Sequence, residues 1–227
     1  MKKQIELIHG VPWDYLIVLD ACRFDYFKEE WNGECQEVES PSFKTIFWLK
    51  EMFPGKYPFT VYSANPLVNS LGKSFGGYKA SEHFDKIVDL WDFGWSDHFN
   101  TVLPSTVYSY SKQAKPRSII WFLQPHMPHL DWASNPELKK LNPSLIGGEG
   151  KEYWNYVKDN MSFDDIKQAY RSNLREALKS VEKLVACLNG KVVVTSDHGE
   201  LLGEYGQFGH IYGDVPELRK VPWVEMK

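Results

Sequence analysis

Three runs of consecutive apolar residues, each ending in polar or charged ones, limit what this chain can fold into. Tyr15-Leu16-Ile17-Val18-Leu19 stops at Asp20. Ser118-Ile119-Ile120-Trp121-Phe122-Leu123 stops at Gln124. Lys191-Val192-Val193-Val194-Thr195 runs into Ser196-Asp197-His198. Each is too short for a helix and lacks the alternation of a strand with one wet face. That leaves strands buried on both faces of a parallel sheet. Phe59-Thr60-Val61-Tyr62 is a weaker fourth run. Between the second and third, Ile166, Ala169, Tyr170, Leu174, Ala177, Leu178, Val181, Leu184 and Val185 recur at helical spacing. Ser162 with Asp165 three residues on reads as that helix's capping signal, and Asn189-Gly190 as its C-terminal stop. Strand, long helix and strand form a βαβ unit, so the expected fold is α/β, with a mostly parallel sheet flanked by helices.

The 227 residues suit a single α/β domain over 1–227. Residues 131–160 break the periodicity: Trp132, Pro136, Pro143, the Gly147-Gly148-Glu149-Gly150 cluster and Trp154 punctuate what reads as a lid or insertion. A formal net charge of −4 offers no basic excess, which argues against a nucleic-acid or anionic-membrane partner. No stretch approaches the roughly 20 apolar residues of a membrane span. The first residues turn acidic at Glu6 before any apolar run forms, so no leader is expected. Cys22, Cys35 and Cys187 are too few and too scattered for a disulfide scaffold or a cysteine-rich zinc module. The expectation is a cytoplasmic protein.

In open α/β sheets functional groups gather at the carboxyl ends of the strands. Here those ends carry Asp20, the segment Gln124-Pro125-His126-Met127-Pro128-His129, and Asp197-His198. Carboxylates and imidazoles converging on one edge suit Zn²⁺ or Mn²⁺, which accept mixed nitrogen and oxygen ligands. Singly, each has an ordinary explanation: Asp20 as a helix N-cap, His126 and His129 as partners of loop carbonyls. The coincidence at three strand ends favours a metal.

The segment Val192-Val193-Val194-Thr195-Ser196-Asp197-His198-Gly199-Glu200, followed by Gly209-His210 and Val221-Pro222-Trp223, resembles the metal-binding signature of the alkaline phosphatase superfamily, in its sulfatase-like branch. Leu19-Asp20-Ala21-Cys22-Arg23 is similar to the branch's opening motif, and His126-Met127-Pro128-His129 to its H-x-P-H element. The resemblance spans both ends and the middle of the chain, in family order. It implies an alkaline-phosphatase-like fold, here unusually short: either a minimal member, or one whose pocket a homo-oligomer partner completes.

The resemblance also implies a nucleophile between the first strand and the second motif. In relatives reading S-P-S-x-x-T it falls where Thr45 stands, with Ser42 and then Ser40 as the next candidates; the usual proline two residues later is Phe47 here. Thr45 would open a short helix, whose N-terminus favours an anion; its ordinary explanation is an N-cap. No Cys or Ser lies in the C-x-P-x-R or S-x-P-x-R context that yields formylglycine, and Asp20 is followed by Ala21 rather than a second acid, which points to phosphate rather than sulfate esters. Mapped from the family, Asp20, Thr45, Asp197 and His198 form one complete metal site. A second would use His129 and His210 but lacks its acid, because Gln124 stands in that place. His126 and Arg23 are candidate substrate contacts, with a surface ion pair as the other reading for Arg23. Asp197 is expected to be exposed in a cleft.

The activity implied is a metal-dependent phosphomonoesterase or phosphodiesterase acting on a small-molecule or glycan phosphate ester, with His129 or His210 protonating the leaving group. Three other readings stay open: a phosphoryl-group transferase acting on a lipid or glycan, a sulfatase-like hydrolase of an unknown ester, and a non-catalytic metal-binding member of the fold.

Overall fold

Each of the three runs forms a strand, and all fifteen of those strand residues are buried: Tyr15–Leu19 (β2), Ser118–Phe122 (β6) and Val192–Ser196 (β7). The computed structural model describes residues 1–141, 150–210 and 213–227. The three strands are neighbours. β2 pairs in parallel with β6 on one side and β7 on the other, Leu19 standing opposite both Phe122 and Ser196. Around them an eight-stranded sheet is completed by Lys2–Lys3 (β1), Gln36–Glu39 (β3), Tyr57–Ser63 (β4), Phe84–Asp89 (β5) and Lys220–Met226 (β8), in the order β1-β3-β8-β7-β2-β6-β4-β5. The weak fourth run is β4. β8, which contains the Val221-Pro222 pair, runs antiparallel to both of its neighbours. β3 and β5 escape a reading by apolar runs because their residues are largely half-buried or exposed.

Alternation along the buried strands sends side chains to two separate cores. Ile17, Leu19, Ile120, Phe122, Val192 and Val194 face one. Leu16, Val18, Ile119, Trp121 and Val193 face the other. The first core is covered by the helix Phe163–Cys187 (α6), through Ile166, Tyr170, Leu174 and the rest of its apolar stripe. The second is covered by Thr45–Met52 (α3), through Trp48, Leu49 and Met52, and by Ile8 of Gln4–Gly10 (α1). Fully burying one such aliphatic side chain is worth about 1.5–3 kcal/mol.

α6 begins where the sequence indicates. The Ser162 hydroxyl accepts the Asp165 N–H at 3.1 Å while the Asp165 carboxylate accepts the Ser162 N–H at 3.2 Å. Its end differs from expectation: Leu188, not Asn189-Gly190, is the C-cap. Gly190 serves a close approach instead. It has φ +145°, and a Cβ there would lie 2.4 Å from the Asp14 carboxylate, which caps the Lys191 N–H at 2.8 Å.

The expected lid at 131–160 is in part packed structure. Pro136–Lys140 is helical, and Lys151–Asn160 (α5) buries Tyr153, Trp154 and Val157 in the same core as α6. The Gly147-Gly148-Glu149 part of the glycine cluster and Pro143 lie outside the described residues.

Candidate functional site

The parallel register brings the first two acids together. With Leu19 opposite Ser196, the next residues, Asp20 and Asp197, emerge side by side at the carboxyl edge of the sheet. Asp20, Asp197 and His198 each offer a ligand atom within 4.8 Å of the others, and all three are buried. Asp197, expected in an exposed position, has 0% of its surface accessible. The reason lies in its partners. Oδ1 accepts the backbone N–H groups of Ala21 at 3.0 Å and His198 at 2.9 Å, and Oδ2 accepts the Thr45 hydroxyl at 2.8 Å. Ala21 makes its bond from φ +55°, a left-handed conformation costing a non-glycine residue on the order of 1 kcal/mol.

His198 Nδ1 lies 2.8 Å from the Gly199 carbonyl. A carbonyl only accepts, so Nδ1 carries the proton and Nε2 carries a lone pair. That lone-pair nitrogen sits 3.3 Å from Thr45 Oγ1 and 3.3 Å from Asp197 Oδ2. Thr45 is the first residue of α3. The N-cap is Lys44, and no side chain caps the helix, so the Thr45 hydroxyl serves Asp197 rather than the helix end. The other two hydroxyls have backbone roles: the one proton of Ser40 Oγ is shared between the carbonyls of Ser42 and Asp197, and Ser42 Oγ accepts the Lys44 N–H.

A second cluster adjoins the first, the His198 and His210 ring centroids being 4.3 Å apart. It consists of His126, Glu200 and His210, again with ligand atoms within 4.8 Å of one another. Its carboxylate is Glu200, not an acid at the position of Gln124. A short antiparallel ladder places it: Leu201 stands opposite Gly209, so Glu200 and His210 meet at its end. Gly209 has φ +79°, and a Cβ there would come within 3.1 Å of the Trp154 ring nitrogen. His210 Nδ1 lies 2.9 Å from Glu200 Oε1. His126 Nδ1 donates to the Met127 carbonyl at 2.7 Å, which leaves its Nε2 lone pair 3.9 Å from Glu200 Oε2. That oxygen has no hydrogen-bond partner among the described residues.

One expected ligand, His129, falls elsewhere, and Gln124 does not replace the acid it stands in for. His129 joins neither cluster; its Nδ1 is held 2.9 Å from the Tyr153 hydroxyl, and its ring is buried against Trp132, Tyr153 and Trp154. Gln124 donates to Thr101 Oγ1 and the Val102 carbonyl. Arg23 is not a free clamp: it forms an ion pair with the exposed Asp25, but from a guanidinium that is itself buried. Its guanidinium is buried and bonded to Asp25, to Glu204 at 2.6 Å and to the Glu200 carbonyl, tying down the ladder that carries Glu200 and His210. Trp154 of α5 is 5% exposed and packs on Phe208.

The electrostatics favour a cation. Burial raises the Asp20 carboxyl well above its ordinary value and the neighbouring Asp197 adds to this, against hydrogen bonds from Asn65 and Trp121 that lower it. Burial pushes Glu200 up to about 6 and His198 down to about 4. Burial and His126 also hold His210 below its usual value. Asp197 pairs with His198 and Glu200 with His210, imidazoles that are neutral at pH 7 and supply no counter-charge. The ligand separations of 3.3 and 3.9 Å suit pairs of bonds of about 2.0–2.2 Å to one ion. The residues present therefore fit a divalent metal.

No protein-family model and no curated protein sequence matches the chain. Solved structures do. The soluble domain of lipooligosaccharide phosphoethanolamine transferase A from Neisseria meningitidis aligns with 93% of this chain and 75% of its own, at a TM-score of 0.60 and 14% identity. The C-terminal periplasmic domain of phosphoethanolamine transferase EptC from Campylobacter jejuni aligns with 93% of this chain and 78% of its own, at 0.56 and 15%. The chain has the fold of the alkaline phosphatase superfamily. The integral membrane form of the Neisseria meningitidis transferase aligns as well, at a TM-score of 0.58 and 12% identity, and the alignment covers 95% of this chain but 48% of that protein. Among the described residues no helix is long and apolar enough to cross a membrane. Since the Campylobacter jejuni domain is periplasmic, the superfamily fold lends the expected cytoplasmic location no support.

Proposed function

We propose that the chain is a metal-dependent enzyme that transfers the phosphoryl group of a small-molecule or glycan phosphate ester to water, with Thr45 as nucleophile. The observation that carries this reading is the position of the Thr45 hydroxyl: at the first residue of a helix, 2.8 Å from a buried carboxylate and 3.3 Å from a lone-pair imidazole nitrogen. Asp20, Asp197, His198 and Thr45 would hold one divalent ion, and His126, Glu200 and His210 a second. Zn²⁺ or Mn²⁺ so bound supplies Lewis acidity toward a phosphoryl oxygen and acidifies the threonine hydroxyl.

The chain's own residues account for the remaining chemistry. Asp197 Oδ2 fixes the direction of the Thr45 hydroxyl, and the proton that the hydroxyl gives up goes to solvent. The first N–H groups of α3, which have no intrahelical partners, favour the anionic substrate. The Thr45 oxygen bonds to phosphorus in line as the ester P–O bond breaks, giving phosphothreonine and an alcohol. His210 would be held on the second ion, so the proton that the departing oxygen takes up comes from water, to which this edge of the site is open at the quarter-exposed His210 side chain. Water then attacks phosphorus, releases phosphate and restores the hydroxyl. Catalysis by this route is mainly positioning and charge neutralisation.

A second reading is favoured by the likeness to two phosphoethanolamine transferase domains: an acceptor alcohol on a lipid or glycan would then replace water in the last step. The test is a panel of p-nitrophenyl phosphate, bis-phosphate and sulfate esters, run with Zn²⁺ or Mn²⁺, alongside mass spectrometry of the quenched protein. The hydrolase reading expects turnover of phosphate but not sulfate esters and a phosphorylated Thr45. Phosphothreonine that persists until an alcohol is added favours the transferase. Bound metal with neither turnover nor adduct sinks both and leaves a non-catalytic metal-binding protein.

A further inference from the structure

We infer that Asn65 is a positioning residue that confines Asp20 to a single ligating oxygen; this rests on the metal reading above. Asp20 Oδ2 accepts two hydrogen bonds, from Asn65 Nδ2 at 2.6 Å and from the Trp121 indole N–H at 3.1 Å. An indole nitrogen is only a donor, and so is an amide nitrogen. Which end of the Asn65 amide faces Asp20 is fixed by its other end, because Asn65 Oδ1 accepts the Leu67 N–H at 2.8 Å. The turn holding Asn65 is itself pinned. The Ser63 hydroxyl donates to the Asn65 carbonyl at 2.7 Å and accepts the Asn65 N–H at 3.1 Å. Asn65 is 2% exposed and Trp121 1%, so water does not compete for these bonds.

Topology makes the arrangement specific. β2, β6 and β4 are consecutive in the sheet. Asp20 follows β2, Trp121 lies on β6, and Asn65 lies two residues beyond β4. Donors from two neighbouring strands thus converge on one oxygen of an acid carried by a third. Asp20 Oδ1 accepts no hydrogen bond from the described residues and is the oxygen left for an ion shared with Asp197 and His198. A carboxylate without such restraint turns about its Cβ–Cγ bond and can chelate with both oxygens. Partners that orient a metal ligand without touching the metal typically contribute about 10–100-fold in affinity.

The test uses metal-free full chain as wild type, Asn65→Leu and Trp121→Phe, each checked for folding by circular dichroism. Zn²⁺ affinity is measured by competition with a chromophoric chelator, and the visible spectrum is recorded with Co²⁺ in place of Zn²⁺. Asn65→Leu is expected to weaken the tighter Zn²⁺ equivalent by about 10–100-fold. It should also dim the Co²⁺ visible band, because two-oxygen binding by Asp20 raises the coordination number. Trp121→Phe removes a donor from the same oxygen while keeping an aromatic ring, and should move both readouts in the same direction. It carries the test if Asn65→Leu does not fold. Wild type that binds Zn²⁺, with folded variants matching it within twofold and showing an unchanged Co²⁺ spectrum, overturns the role of Asn65 alone. Wild type that takes up no metal overturns this inference together with the metal reading.

Discussion

The two clusters at the carboxyl edge of the sheet contain similar ligand types but are held very differently. Around Asp20, Asp197 and His198, hydrogen bonds fix the side chains: two side-chain donors on Asp20, two backbone N–H groups and a hydroxyl on Asp197, and a carbonyl on His198. All three residues follow long buried strands. Around His126, Glu200 and His210 the hold is looser. Glu200 keeps one unpartnered oxygen, His210 is a quarter exposed, and both hang from a ladder of two residues per strand. On the proposed function, the difference amounts to a division of labour, in which the first cluster would set geometry and the less restrained second would adapt to the substrate.

The sharpest way to break that division is to disable the first cluster. Asp197→Asn should abolish ester hydrolysis and weaken metal binding. Because Asp197 is buried beside another carboxylate, the substitution removes like-charge repulsion, and the metal-free variant should melt at or above the wild-type temperature. A variant with near-wild-type turnover under saturating metal would refute the assignment. Thr45→Ala should cost roughly 10³-fold or more in turnover by removing the covalent step, with a stability loss of only about 1 kcal/mol. Thr45→Ser should retain measurable activity, because a primary hydroxyl can occupy the same place. Full activity in Thr45→Ala would return the nucleophile to Ser42.

The same contrast explains what could be read in the sequence. Tyr15–Leu19, Ser118–Phe122 and Val192–Ser196 are legible because strands buried on both faces are continuously apolar. The acids following two of them inherit that legibility, and parallel register then brings Asp20 to Asp197. Glu200 was harder to find: its contact with His210 depends on a ladder only two residues long, with no apolar run to announce it. His129 was misplaced because H-x-P-H spacing does not reveal which imidazole turns toward the sheet edge. Tyr153, 24 residues away, takes His129 out of reach. The burial of Asp197 was equally hidden, because it follows from partners supplied by α3 and by the left-handed turn at Ala21.

Disabling the second cluster should do less. Glu200→Gln and His126→Ala should each lower metal stoichiometry, counted by plasma mass spectrometry, from two ions to one. Turnover should fall by roughly 10²-fold, the scale of lost transition-state charge stabilisation. Loss of both ions would show that the clusters are not separable.

The pH dependence of stability separates the two kinds of group without metal. Glu200 has a folded pKa of about 6, above its ordinary 4.5. Between those values the folded state holds the proton more tightly, so this carboxyl's contribution is present at low pH and is lost as pH rises toward 6. The imidazole of His198, at about 4 against 6.5, contributes in the opposite sense: its contribution is present above 6.5 and is lost as pH falls toward 4. At about 1.4 kcal/mol per pH unit the carboxyl is worth on the order of 2 kcal/mol and the imidazole roughly 3, so the two offset each other only in part. In metal-free Glu200→Gln the imidazole slope is left alone, and urea melts at pH 4.5 and 6 should show stability climbing more steeply than in wild type. Equal slopes would place the titration elsewhere.

The smallest expected effect on the metal centre belongs to His129, and it tests whether the second cluster is correctly drawn. Burial among aromatic rings, with a further push from His126, holds its pKa down at about 3, so it is neutral at pH 7. The Tyr153 hydroxyl accepts the His129 N–H at 3.2 Å and lies 2.9 Å from Nδ1. With one proton to give, that hydroxyl is best satisfied by donating to Nδ1, which puts the imidazole proton on Nε2, a buried nitrogen with no hydrogen-bond partner among the described residues, and His129 belongs to neither group of ligand atoms. His129→Leu should therefore leave two ions bound, with affinities within about twofold, while the stranded Tyr153 hydroxyl costs about 1–3 kcal/mol of stability. Measured together, metal content and a urea melt distinguish this from the arrangement the H-x-P-H spacing first suggested. If His129→Leu loses an ion while His126→Ala keeps both, the second cluster is built on the other histidine and Glu200 has a different partner.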